Sequence, residues 1–306
     1  MSITSGKFIT IFFVAALFML LCGNEAGMAE TVDTSAADES SGLSVIEKGF
    51  FTFQLFSSGP VDSLSFHEKY STEISTLIED LEKKGFEEIA GMLHHPEFEF
   101  YDGIGDRFRQ SVERKSRSLD DYKGILQFED KKNRMAGFMA SYDSQLQKAE
   151  ETYGISKYVI SAIIAVESDF GTKTGRYNPF NSYVSMVIEG YRSDFARAQL
   201  EELLTFVQKN SLDVFELKSS YAGAVSAAQF IPYSLNRWFV GDDIFDMGNV
   251  IHSVANYLSH FENVTGSIEK AVHRYNPSTL YTSAVLDLAH EAIALAQSGG
   301  ETDEQL

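Results

Sequence analysis

Cysteine is almost missing from this 306-residue sequence: Cys22 stands alone, so no disulfide can form within the chain. Five prolines are too few for a Pro-rich linker or a collagen-like chain. Basic residues are scarce as well, with 25 Lys and Arg against 44 Asp and Glu, a formal net charge of −19. Such a surface repels a phosphate backbone and no basic cluster offsets it, so nucleic acid is not an expected partner. Alternating apolar and polar runs long enough for a sheet are rare, and no period of about 20 to 50 residues repeats. What is present, 44% apolar and 23% charged residues, is globular composition. It excludes a mostly disordered or polytopic membrane protein and gives enough chain for one large domain or two modest ones.

The one sustained apolar run spans Phe8 to Cys22, is relieved only by Thr10 and follows Lys7. It is shorter than the roughly 20 residues of a bilayer span but suits the apolar stretch of a secretory signal. Gly27-Met28-Ala29 offers a cleavage site before Glu30. The expectation is a signal peptide over 1–29 and an exported, periplasmic, cysteine-free mature chain. An uncleaved anchor and a lipoprotein acylated on Cys22, with peripheral membrane association, are the competing readings. Against the second, Leu21 stands where a small residue usually precedes an acylated cysteine.

Residues 30–44 are small, polar and acidic and read as a flexible leader, as does the tail over 296–306. Between them the spacing is helical, as at Leu77, Ile78, Leu81, then Phe86, Ile89, Met92, and again Leu203, Leu204, Phe206, Val207. The expected fold is mostly α: a helical N-terminal lobe over 45–145 leading without an obvious linker into a second lobe over 146–295.

Tyr153 to Gly171 (YGISKYVISAIIAVESDFG) is the most informative stretch. Gly154 breaks one helix and Ser156 can cap the next. Val159, Ile160, Ile163, Ile164 and Val166 make that helix apolar nearly all round, hence buried. Glu167 falls on the face of Ile163 and Ile164. Desolvation there would disfavour its charged form and raise its pKa, suiting it to donate a proton. The residues alone leave a second reading open, the commoner one: a helix end whose carboxylate reaches water. Asp169, two residues on, points away if the helix persists and reads as a surface or capping group.

Four blocks in order resemble the lytic murein transglycosylases of the type B group. Val166 to Gly171 resembles their V-E-[ST]-x-[FW]-G motif; Ser220 to Pro232 (SYAGAVSAAQFIP), Asp243 to Leu258, and His273 to Ala289 (HRYNPSTLYTSAVLDLA) resemble three further blocks. The resemblance covers roughly residues 75 to 292. It implies a lysozyme-like catalytic lobe that cleaves the β-1,4 bond between N-acetylmuramic acid and N-acetylglucosamine in peptidoglycan, leaving 1,6-anhydromuramic ends. It makes Glu167 the single general acid and base. Ser220 would orient Glu167 by a hydrogen bond, Gln229 would contact a sugar acetamido or hydroxyl group, and Tyr257, Tyr275 and Asn276 would line the cleft. Its partner would be the glycan strands of peptidoglycan, bound by a monomer. A water-using hydrolase with the same Glu, and a silent peptidoglycan-binding module, are the alternatives.

Two departures stand out: Ser226 replaces a usual glycine, and Ser219 replaces a glycine that often precedes the motif serine. Relatives often carry a calcium-binding-like loop, but Val240-Gly241-Asp242-Asp243 is too short to supply six or more oxygens, so no metal is expected. His94-His95 near Glu97, Glu99 and Asp102 lacks H-E-x-x-H spacing and reads as loop. Gly103-Ile104-Gly105 is a lone G-x-G, and there is neither a Walker loop nor a G-x-S-x-G elbow; no cofactor is expected. Phe50-Phe51 and Phe98-Phe100 read as core.

Overall fold

Residues 63–109, 116 and 118–303 are described by the structure, a computed structural model. The expected signal and leader, Cys22 and Phe50-Phe51 lie outside them. The described residues form fourteen α-helices and no extended strand. The first half of the chain gives α1 (Ser63–Lys69), α2 (Ser71–Glu82), α3 (Ile89–Leu93), α4 (Ile104–Arg109), α5 (Leu119–Leu126), α6 (Phe128–Ser141) and α7 (Asp143–Tyr153). The second half gives α8 (Lys157–Ser168), α9 (Pro179–Ile188), α10 (Ser193–Asn210), α11 (Pro232–Trp238), α12 (Met247–Thr265), α13 (Ile268–Tyr275) and α14 (Thr279–Asp303). Isolated antiparallel bridges, Ser219 with Val225 and Val225 with Phe230, stitch the segment between α10 and α11, and a third, Tyr177 with Ser219, ties it to the segment between α8 and α9.

Local chemistry sets the boundaries of the helix at the centre. Gly154 takes φ 73° at the end of α7, and Ser156 Oγ accepts from Tyr158 N to start α8. Every residue from Val159 to Ser168 is buried, because α6, α7, α12 and α14 all pack around α8. Burying each of its large aliphatic side chains contributes about 1.5–3 kcal/mol, enough together to offset the cost of one carboxyl held among them. Side-chain caps recur: Asn178 for α9, Asp246 for α12 and Ser267 for α13.

One apolar cluster runs from Phe66 to Ala292. Because α4 packs on α9, α6 on α8, and α5 and α6 on α14, the two expected lobes share their core. Leu77, Leu81, Ile89, Leu203, Leu204, Phe206 and Val207 are buried, as their spacing predicts. At the other end α14 continues to Asp303, so 296–303 is helical where composition suggested a flexible tail; extending an existing helix avoids the nucleation cost that isolated polar segments face.

Candidate active site

Glu167 lies in the last turn of α8 and is 2% exposed. The helix ends just beyond it: Asp169 N donates to Ala165 O (3.1 Å) and Phe170 N to Ile164 O (3.3 Å), with both donor residues in the left-handed region. From α14, the Tyr281 hydroxyl donates to Glu167 Oε1 at 2.6 Å. Tyr257, Tyr275 and Tyr281 are buried, and burial pushes all three phenols well above their usual range, with the negative charge of Glu167 adding to the shift. They therefore stay protonated donors at any ordinary pH.

Of the residues implied by the motifs, Tyr257 and Tyr275 are near enough for the charge of Glu167 to act on their phenols. Tyr275, at the end of α13, donates to Ala228 O at 2.6 Å and packs edge-on against Tyr257 at 4.8 Å. It thereby ties the end of α13 to the 226–230 loop. Tyr257 is a correction: it is 1% exposed, surrounded by Phe230, Trp238, Phe261 and Tyr275, and donates to Arg274 O at 2.8 Å. It backs Tyr275 rather than lining open space, because its position on α12 faces the core. Ser220 Oγ accepts from Ala224 N (3.3 Å), and its carbonyl accepts from Gly223 N (2.9 Å), so the residue closes its own turn. Gln229 adopts φ 50° and its Nε2 donates to Thr174 O (3.1 Å) and Ser226 O (2.9 Å). That amide ties the segment after α8 to the 219–230 loop. Asn276 is buried at the end of α13, its carbonyl accepting from Ser278 N at 2.8 Å.

Tyr281 escapes the reading from sequence, although it closes the Tyr275-Asn276-Pro277-Ser278-Thr279-Leu280-Tyr281 run. The signal that could have found it is helix spacing: Ala284, Val285 and Leu288 lie on the same side of α14, the side that packs on α8.

Asp169 is the residue that caps the end of α8, as one half of the expectation has it, but the other half needs correction. It is not a surface group: it is 8% exposed, and its carboxylate meets Lys131 Nζ (2.9 Å), Lys173 Nζ (2.9 Å) and the Arg134 guanidinium. Burial alone would raise this carboxyl, but hydrogen bonds from Lys173 and Lys131 and the charges of Lys131 and Arg134 hold it well below the usual carboxylate range. The helix does not persist to Asp169, so the direction assumed from helical geometry does not apply.

The loop departures have physical readings too. Ser226 has φ 65°, which explains a usual glycine there, and its Oγ accepts from Ala228 N at 3.1 Å in partial compensation. Ser219 bridges to Tyr177, and its carbonyl would lie 2.0 Å from any Cβ added at Gly175. Gly223, at φ 80°, lies against the Tyr183 ring with no room for a Cβ. Asp243 and Asp246 accept from Phe245 N and Asn249 N, both at 2.8 Å, so their carboxylates close backbone turns. Elsewhere, His94 packs at a tilt against His67, and His95 stacks on Phe215. The Gly103 and Gly105 amides donate to the Glu189 carboxylate, at 2.5 and 3.3 Å. That G-x-G cradle is filled by the chain's own side chain.

This mostly α fold is shared by solved lytic transglycosylases. Residues 69–269 match the transglycosylase SLT domain family, and the chain belongs to that family. It is 30% identical over 128 residues to the membrane-bound lytic murein transglycosylase B of Escherichia coli (strain K12), an alignment spanning 40% of this chain and 36% of that protein. Its fold is similar to soluble lytic transglycosylase SltB1 from Pseudomonas aeruginosa, with a TM-score of 0.67 at 23% identity over 74% of this chain and 99% of that one. It is similar as well to SltB3 from Pseudomonas aeruginosa in complex with NAG-NAM-pentapeptide, with a TM-score of 0.62 at 19% identity over 73% of this chain and 79% of that one.

Proposed function

We propose that this protein is a peptidoglycan lytic transglycosylase in which Glu167 is the single acid and base. The observation that carries the reading is the Glu167 carboxyl itself, buried at the end of α8 and touched by the Tyr281 phenol at 2.6 Å. In its acid form Glu167 protonates the oxygen leaving N-acetylmuramic C1. The resulting carboxylate, stabilised by Tyr281, then accepts the proton of the muramoyl C6 hydroxyl as that oxygen closes on C1. Ordinary glycosidases need a second carboxylate at a set separation. Among the described residues the other buried carboxylate is Asp169, and three cations hold it. A one-carboxyl route to the anhydro product fits that arrangement. NAG-NAM-pentapeptide bound to a protein of similar fold supports glycan strands as the substrate. Export follows from that substrate and from the apolar run over 8–22. Among the described residues no helix is long and apolar enough to cross a membrane.

The test is mass spectrometry of purified sacculi digested with the mature chain and with Glu167→Gln. Wild type should release anhydro-muropeptides, at a rate that declines as rising pH removes the acid form of Glu167. The folded variant should be at least about 100-fold slower, the scale of losing a positioned proton donor. Reducing-end products would instead indicate a water-using hydrolase, and full activity in a folded Glu167→Gln variant would end the assignment.

A further inference from the structure

Asp169 fills the variable position of the Val166–Gly171 motif, two residues after Glu167. It and Phe170 are both left-handed, at φ 54° and 61°, where a helix end normally uses a single glycine. Two consecutive side-chain-bearing residues hold that conformation only when their surroundings impose it. The surroundings here are specific. Lys131 and Arg134, three residues apart on one face of α6, both reach Asp169 Oδ1, and Lys173 reaches Oδ2 from the following turn. Thr172 Oγ1 donates to the Asp169 carbonyl at 2.8 Å. An apolar contact could hold α6 against α8 with comparable stability. Charge-assisted hydrogen bonds from several directions add what apolar packing does not, a fixed orientation.

We propose that Asp169 is a positioning residue for the reaction: anchored to α6 by Lys131 and Arg134, it fixes the left-handed turn that ends α8 and so sets where the Glu167 carboxyl meets Tyr281 and the leaving oxygen. The proposal rests on Glu167 being the acid and base. A carboxyl displaced by a fraction of an ångström keeps its substrate but loses rate, on the order of 10- to 100-fold.

The experiment compares wild type, Asp169→Asn, the double variant Lys131→Met with Asp169→Asn, and Glu167→Gln. Rates of anhydro-product release are measured on solubilised glycan strands at varied concentration, alongside thermal melts. Asp169→Asn alone leaves Lys131 buried without its carboxylate and can fail to fold; the double variant removes both charges of that pair. The expected result is a double variant with most of the wild-type Tm, an apparent KM within about two-fold, and a kcat about 10- to 100-fold lower. Recovery of kcat together with Tm would mean that Asp169 serves stability alone, and would overturn the proposal. So would a loss expressed in KM rather than kcat. Full activity in Glu167→Gln would instead overturn the parent reading, whatever Asp169 does.

Discussion

Tyr281→Phe removes one oxygen and leaves a ring of nearly the same volume, so packing survives. What disappears is the hydrogen bond to Glu167 Oε1 at 2.6 Å. Its two residues are 1% and 2% exposed, so bulk water does not replace the phenol. A hydrogen bond to a charged group is worth roughly 1.5–3 kcal/mol and one between neutral groups roughly 0.5–1.5. Only the difference, on the order of 1–1.5 kcal/mol, lowers the barrier, because the carboxylate forms as the proton leaves. At about 1.36 kcal/mol per tenfold, kcat should fall roughly 5- to 15-fold. Initial rates of anhydro-muropeptide release, with circular dichroism to confirm folding, measure the effect. A folded variant with wild-type rate would refute the reasoning. So would one as inactive as Glu167→Gln, since a donor that only stabilises the carboxylate cannot account for so large a loss.

Asp169→Asn should lower stability by about 3–5 kcal/mol, the cost of leaving a buried partner unpaired, because the Lys131 side chain is 3% exposed; Arg134 and Lys173, at 39% and 41%, add little. At about 2–4 °C per kcal/mol this is a Tm drop of roughly 6–20 °C. Since the folded carboxyl titrates below its unfolded value near 3.9, its contribution is complete above about pH 5 and is lost as acid carries the pH through the unfolded value towards the depressed folded one; the Tm gap between wild type and variant should narrow below about pH 5, and narrow again at alkaline pH, where burial drives the unpaired Lys131 of the variant to give up its proton. Ser226→Ala keeps the left-handed strain and loses the bond to Ala228 N, so it should melt lower than Ser226→Gly, which loses the same bond but relieves strain of about 1 kcal/mol. Chelator should leave Tm unchanged, because Asp243 and Asp246 are occupied by backbone amides; a drop restored by calcium would contradict that.

The helix that carries the chemistry was legible because its signals are local. Gly154, Ser156 and an all-round apolar stretch define α8, and the i−3 and i−4 neighbours of Glu167 imply its burial. The caps at Asn178, Asp246 and Ser267 are local in the same sense, each accepting from an amide three residues on. Asp169 was not legible, because what decides its fate lies 38 and 35 residues away on α6. There, Glu129-Asp130-Lys131-Lys132-Asn133-Arg134 reads as an ordinary charged helix, and a charged helix face is usually solvated. The placement of Tyr257 was hidden for a related reason. A motif brings a backbone segment near the carboxyl, but which hydroxyl reaches it depends on turn closure and helix rotation. Ser220 is satisfied inside its own turn, and Tyr257 faces the α13 backbone. Tyr281, in the first turn of α14, reaches Glu167 because α14 packs on α8. The contact most important to the proposed chemistry is therefore set by the docking of two helices more than a hundred residues apart in the chain: helix spacing gives the buried face on which Tyr281 lies, but not the helix that this face meets.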